Sequence, residues 1–518
     1  MLMPRPSRRA FLHGATLTAL AALAGRAHAR TAAAPRPNII FILADDLGYG
    51  ELGCFGQPKI ETPNIDRLCR SGMRFTSHYS GAPVCAPSRC VLLTGKHSGH
   101  AYIRGNDEWS SRGKVWDFQA MFDNPALEGQ RPMPAGTQTL GTLLQTAGYR
   151  TAAVGKWGLG APHTEGNPNL QGFDFFFGYN CQRQAHTYYP QHLYRNRERV
   201  LLSNALVTPG TKLAAGADPR DPASYARFKQ SDYAPDLMFN EIRAFVSENR
   251  QRPFFLYWAT PIPHAALQAP QRWVDHYVRK FGDEPPYLGD AGYFPHRYPH
   301  ACYAAMISHL DEQVGQLVAQ LKDLGLYENT LILFTSDNGP TFNGGTDSPW
   351  FDSGGPFKSE SGWGKCSVHE GGLRVPLIAS WPGHIPPGSQ TDHLSAFWDV
   401  LPTLCEVAGA PPPADSDGLS FLPTLLGQGS QKQHDYLYWE YPEAGGQQAL
   451  RMGQWKLIRT GLKKETTKTA LYDLASDLRE EHDVAAQHPE IMAKMESILR
   501  AAHTPPALDA FKMKALGD

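Results

Sequence analysis

The sequence predicts an α/β protein, a buried sheet flanked by helices, with a smaller α+β domain at its C-terminal end. Three observations carry this reading. Short, continuous apolar runs end abruptly in polar loops; a long helical stretch feeds one of these runs; and beyond residue 430 the pattern changes to short aromatic strands around glycine turns.

In chain order, residues 1–29 read as an export signal rather than as core. Ser7-Arg8-Arg9-Ala10-Phe11-Leu12 is a twin-arginine signature, followed by an apolar stretch at 15–24 and the cleavage pattern Ala27-His28-Ala29. The apolar stretch is well short of the roughly 20 residues a spanning helix needs, so no membrane span is expected in the mature chain. The reading places the protein in the periplasm or outside the cell, with the twin-arginine export machinery as a partner.

The first apolar run, Asn38-Ile39-Ile40-Phe41-Ile42-Leu43-Ala44, ends in Asp45-Asp46. Such a run, without alternation, is expected for a strand covered on both faces. The pattern recurs at Thr330-Leu331-Ile332-Leu333-Phe334-Thr335, which follows a helical stretch at 301–324 and ends in Ser336-Asp337-Asn338-Gly339. Two further strands, 150–154 and 253–259, run into loops carrying Lys156 and His264. In an open α/β sheet, ligands bind beyond the carboxyl ends of the strands, so these four loops are expected to converge.

Residues 411–413 and 427–434 read as linkers, the second being the better boundary. The expected organisation is a signal at 1–29, a catalytic domain at 30–430 and a small domain at 431–518. The latter has strands around Tyr436-Leu437-Tyr438-Trp439, Ala449-Leu450-Arg451 and Trp455-Lys456-Leu457-Ile458, and a closing helix at 489–501.

Charge excludes one class of partner. With 49 basic and 50 acidic residues and no basic run, nothing tracks a phosphate backbone, and nucleic acid is not an expected ligand. Attraction for an anion has to come from a few placed cations. The eight cysteines are scattered, without the density of a disulfide scaffold or a CxxC pair.

One cysteine stands apart. Val84-Cys85-Ala86-Pro87-Ser88-Arg89, followed by Leu92-Leu93-Thr94-Gly95, resembles the signature of the type I, formylglycine-dependent sulfatases. The resemblance extends to the Asp45-Asp46 strand end, Gly155-Lys156-Trp157, Pro263-His264, Asp337-Asn338-Gly339, Lys365 before Glu370-Gly371-Gly372, and Leu471-Tyr472-Asp473-Leu474. It covers essentially the whole mature chain, with an arylsulfatase or N-acetylgalactosamine sulfatase flavour. It implies an alkaline-phosphatase-like α/β/α sandwich with a large, mostly parallel sheet, plus a small C-terminal domain with an antiparallel sheet.

The resemblance also implies roles. Cys85 would be converted to formylglycine by a formylglycine-generating enzyme, and its hydrate would attack sulfur. Asp45, Asp46, Asp337, Asn338 and the modified Cys85 would hold a divalent cation. The protein oxygens in this set suit calcium or magnesium rather than zinc, and calcium is the family's usual ion. Arg89 would hold the diol, Lys156 and Lys365 the sulfate oxygens, and His264 would protonate the leaving alcohol. Lys96 would support the region of Arg89.

In one place the chain departs from the family pattern. Gly158 stands where the family commonly carries a histidine, two residues after the lysine. His163, His186 and His97 are the candidate replacements, with His186, in the polar and aromatic segment 182–189, favoured. The expected substrate is a sulfated carbohydrate or an aryl sulfate. The competing readings are a phosphatase or phosphonate monoester hydrolase on the same scaffold, and a carbohydrate-binding relative that has lost activity.

Overall fold

The computed structural model describes Met1 and residues 36–360, 362–464 and 466–518. The expected export signal, apart from Met1, lies outside the described residues. Residues 37–518 form one compact unit.

β1 (Asn38–Ala44) is buried at every position. Its alternate residues serve opposite cores, Ile39, Phe41 and Leu43 on one face and Ile40, Ile42 and Ala44 on the other, as the period of a strand requires. The remaining strands, in chain order, are β2 (Met73–Phe75), β3 (His78–Tyr79), β4 (Arg150–Lys156), β5 (Phe175–Tyr179), β6 (His192–Arg195), β7 (Glu198–Leu201), β8 (Phe254–Ala259), β9 (Thr330–Ser336), β10 (Leu377–Ser380), β11 (Ser389–Thr391) and β12 (Ser395–Ala396), then β13 (Leu437–Tyr441), β14 (Gln447–Met452), β15 (Trp455–Thr460) and β16 (Lys468–Asp473). Ten of them form one sheet in the order β11-β2-β10-β9-β1-β8-β4-β5-β6-β7, while β3 pairs with β12 alone.

The four strands read from the sequence, β9, β1, β8 and β4, are adjacent, parallel and central. Their polar C-terminal loops therefore leave the sheet on one edge, side by side. The edges were not legible: β10 runs antiparallel to β9, and β2 and β11 are three residues each, too short for a periodic signal.

Helices cover both faces. Cys85–Thr94 and Val400–Ala408 bury residues in the core that holds Phe41. Ala234–Glu248 and the long Pro299–Asp323 helix fill the opposite one.

β13 to β16 form a separate antiparallel sheet. Leu437, Trp439 and Tyr441 of β13 join the main core, while Tyr438, between them, packs with Met495 and Leu499 of the Pro489–Ala502 helix. This sheet is thus apolar on both faces. Among the described residues no helix is long and apolar enough to cross a membrane.

Candidate active site

The parallel register of β1 and β9 places their ends together. Ala44 is level with Ser336, and the Asp337 N–H donates to Ala44 O at 3.0 Å. Asp45, Asp46, Asp337 and Asn338, widely separated in sequence, thereby become neighbours, all of them at most 1% exposed. Asp46 takes a positive φ of 65°, an uncommon conformation that Asp tolerates better than most residues. Its N–H donates to Asp337 Oδ1 at 3.2 Å.

The Cys85–Thr94 helix aims its first turn at this cluster. Cys85 is its first residue and Arg89 follows one turn later, so both project from the same side. The Asn106 side chain accepts from the Ala86 N–H at 3.0 Å, satisfying a donor at the helix start. Cys85 Sγ lies 3.3 Å from Asp45 Oδ1, and Arg89 Nη2 lies 2.8 Å from Asp337 Oδ2 and 3.3 Å from Asp45 Oδ2.

Two lysines complete the ring of charge. Lys156, the last residue of β4, donates to Asp45 Oδ2 at 2.5 Å and approaches Cys85 Sγ at 3.6 Å. Lys365 Nζ donates to Asp46 Oδ2 at 2.8 Å. Beyond β8, His264 Nε2 lies 3.8 Å from Asp46 Oδ2, while Nδ1 bonds Ala265 O.

Burial would raise the Asp45 carboxyl, but the charges of Lys156, Arg89 and Lys365 outweigh it and hold Asp45 well below the usual carboxylate range. Burial, with the Asp45 charge beside it, pushes Asp337 up to about 7. Burial also lifts the Cys85 thiol, and Asp45 adds to that. His264 is held well below the ordinary imidazole range by burial, then by Lys156 and Lys365, so it rests neutral.

The residues fit a hard cation. Asn338 Nδ2 donates to Asp46 Oδ1 at 2.8 Å and to Gly339 O at 2.9 Å, which fixes the orientation of the amide. Its Oδ1 is then buried without a hydrogen-bond partner among the described residues, beside three carboxylates. An orphaned oxygen in an all-oxygen donor set is what calcium or magnesium would satisfy. Ligand atoms of Asp45, Asp46, Cys85 and His264 also lie within 4.8 Å of one another.

Cys85, Lys156, His264 and Lys365 line a cleft enclosing about 800 Å³, its open mouth included. Of the three histidines considered as replacements at the Gly158 position, only His186 lines it, its ring stacked on His264 at 5.3 Å. Burial, and then the charges of Lys156 and Lys365, hold His186 well below its ordinary range. His163 is exposed on a turn. His97 faces a different pocket, packed with His100, Trp398 and Tyr438, and its Nδ1 accepts the Gly99 N–H. Lys96 lies past the far end of the helix that begins at Cys85 and pairs with Asp415 at 2.7 Å, away from the cleft.

Gly158 itself has φ +75°, and a Cβ there would meet Gln182 Oε1 at 2.8 Å. Gln182, rather than a histidine, occupies the space beside it. Sequence reasoning did not single out Asn106, Glu108, Trp116 or Tyr293, which also line the cleft; they sit on irregular segments with no motif to mark them.

Comparison with known proteins agrees with this geometry. The family model described as Sulfatase matches residues 37–410, and one described as N-sulphoglucosamine sulphohydrolase, C-terminal, matches 359–504. Human arylsulfatase A is 32% identical over 94% of this chain and 90% of its own length. N-acetylgalactosamine-6-sulfatase of Canis lupus familiaris is 34% identical over 76% of this chain and 67% of its own length. The crystal structure of Ps i-CgsB aligns with a TM-score of 0.70 at 27% identity, covering 90% of this chain and 93% of that one. At 20% identity and a TM-score of 0.58, the phosphonate monoester hydrolase of Agrobacterium radiobacter shares the fold over 90% of this chain and 96% of its own, so the fold alone does not separate the two chemistries. The extent of the family match and of the full-length relatives decides the matter: the chain belongs to the sulfatase family, with the alkaline-phosphatase-like fold of its structural neighbours.

Proposed function

We propose that the protein hydrolyses a sulfate ester on a carbohydrate, using a formylglycine derived from Cys85 and a divalent cation, in the periplasm or outside the cell after twin-arginine export. One observation carries the reading. Cys85, three carboxylates, Asn338 and three cations, from segments scattered between residues 45 and 365, meet at one edge of the sheet, with Cys85 Sγ 3.3 Å from Asp45 and 3.6 Å from Lys156.

Asp45, Asp46, Asp337 and Asn338 would hold the cation, calcium being the expected ion, which would supply charge stabilisation for oxygens of the ester. Formylglycine would supply, as its hydrate, the hydroxyl that attacks sulfur. The chain's own side chains do the rest. Arg89 holds the hydrate in place, and Lys156 and Lys365 grip the sulfate oxygens, donors set before the reaction begins. His264 passes a proton to the departing alcohol; the anion held beside it raises the imidazole from its resting neutral state. His186, stacked on His264, is a further base in the cleft lining.

The test is the mass of the Cys85 peptide from protein co-expressed with a formylglycine-generating enzyme, beside a Cys85→Ser control. A loss of about eighteen daltons, as expected for exchanging thiol for aldehyde, with sulfate release that the control lacks, supports the proposal. An unmodified Cys85 in a protein that cleaves phosphate or phosphonate esters would overturn it, and a modified protein without any hydrolysis would point to a binding relative.

A further inference from the structure

We propose that Glu108 and Trp116 form a selectivity wall that restricts the enzyme to a sulfate ester on an otherwise uncharged sugar ring, with a hydroxyl or amide N–H of that ring turned toward Glu108 and the neighbouring sugar laid on Trp116. This rests on the sulfatase reading above and names the substrate class of the same cleft.

The charges lining the cleft are divided. Lys156 and Lys365 stand at the sulfate end, and Glu108 is the one carboxylate among the described residues that line it. Its carboxylate is braced from behind. Oε2 accepts Gln130 Nε2 at 2.7 Å and the guanidinium of Arg183. Arg183 is itself fully buried, with Nη2 on Leu127 O at 2.9 Å. Among the described residues Oε1 has only a long contact, Gln182 Nε2 at 3.5 Å, which leaves acceptor capacity on the atom. A carboxylate paired with a buried guanidinium, as Glu108 is with Arg183, accepts sugar O–H and N–H groups well. It repels a second sulfate or a uronate carboxylate, an element of selection against the wrong ligand.

Trp116 is more than half exposed although its ring is pinned, 5.9 Å from His186 and 5.7 Å from Arg183. It lines both the cleft and the open groove beside it, together with His186 and Tyr293. A large rigid ring at a cleft mouth, apolar on its face, suits the C–H face of a sugar.

The experiment compares kcat/KM for galactose and N-acetylgalactosamine monosulfates with their disulfated counterparts, using 4-nitrophenyl sulfate as a ring-independent probe. The wild type is expected to prefer the monosulfated sugar by at least about tenfold, and Glu108→Gln to collapse that preference, raising KM for the monosulfate and lowering it for the disulfate. Trp116→Ala is expected to raise KM for a sulfated disaccharide more than for the monosaccharide. Should Glu108→Gln fail to fold, leaving Arg183 unpaired, Glu108→Asp keeps the charge but withdraws it and is expected to weaken the preference. Cleavage of 4-nitrophenyl sulfate without any preference in the wild type, or a preference unmoved in these variants, overturns the inference. Absence of sulfate release from every ester would instead overturn the sulfatase reading beneath it.

Discussion

Two of the buried ionic clusters among the described residues look alike and do different things. At the sheet edge, Asp45, Asp46 and Asp337 meet Arg89, Lys156 and Lys365. Where the C-terminal sheet packs on the main body, Lys456 of β15 lies 2.8 Å from Glu370 and 3.0 Å from Glu480, and Arg374 lies 3.1 Å from Glu370. Tyr79 OH donates to Glu370 at 2.6 Å, and Glu480 Oε2 accepts the Glu370 N–H, also at 2.6 Å.

Even the titration behaviour is parallel. Burial would raise Glu370, but Lys456, Arg374 and Arg451 outweigh it and hold the carboxyl well below its ordinary range. Burial drives Glu480 up to about 7, with Lys456 opposing and Glu370 adding to the rise. One carboxylate of each cluster is held down and one pushed up, so perturbed acidity alone does not mark a site. What differs is access. The sheet-edge cluster opens on a cleft. The other joins β15 to the segment between β9 and β10, and its residues line neither the cleft nor the groove beside it.

Three substitutions sharpen this contrast. The largest effect is expected from Lys456→Met. It leaves Glu370 and Glu480 facing one another in the interior and should cost roughly 3–5 kcal/mol, read as a fall in the urea midpoint, with turnover per folded molecule retained. Lys156→Ala should do the reverse. It is expected to lose about 10²–10³ in kcat/KM toward a sulfate ester, or roughly 3–4 kcal/mol of transition-state stabilisation, with a smaller change in urea midpoint than Lys456→Met. Equal losses of stability in both variants would erase the distinction between the clusters.

The smallest effect is on pH dependence. Glu480 is raised in the folded state from 4.5 to about 7, so the folded protein binds that proton more tightly than the unfolded chain does. The resulting stability is fully present below about pH 4.5 and is lost as pH rises through about 7. Glu480→Gln removes this component, and the urea midpoint of the variant should decline less between those pH values than that of the wild type. An unchanged slope would show that Glu480 is not the group responsible.

Much of the fold was legible because burial on both faces writes itself into sequence. β1, β4, β8 and β9 are apolar runs stopped by Asp, Lys or a Pro-His loop, and those same strands are the central, adjacent ones. The site residues they carry were legible for the same reason, since a polar residue directly after a buried strand has few places to be. Arg89 came with the resemblance carried by the Cys85 motif, and the structure puts it on the same side of the helix as Cys85. Short outer strands such as β2 and the edge strand β11, paired through backbone atoms, leave no such trace in side-chain pattern.

Sequence by itself determined which residues could do chemistry, and in what order along the chain. Tertiary structure alone decided which of them meet. It placed His186, and neither His97 nor His163, in the lining of the cleft, and set Lys96 apart with Asp415. It filled the space beside Gly158 with Gln182, and turned Glu108 and Trp116 into a wall of the cleft. The physical reason is that strand ends are brought together by backbone pairing, whose register follows from the hydrophobic pattern. The cleft walls instead come from loops whose positions depend on side-chain contacts far away in sequence, such as Arg183 with Glu108 and Asn106 with Ala86.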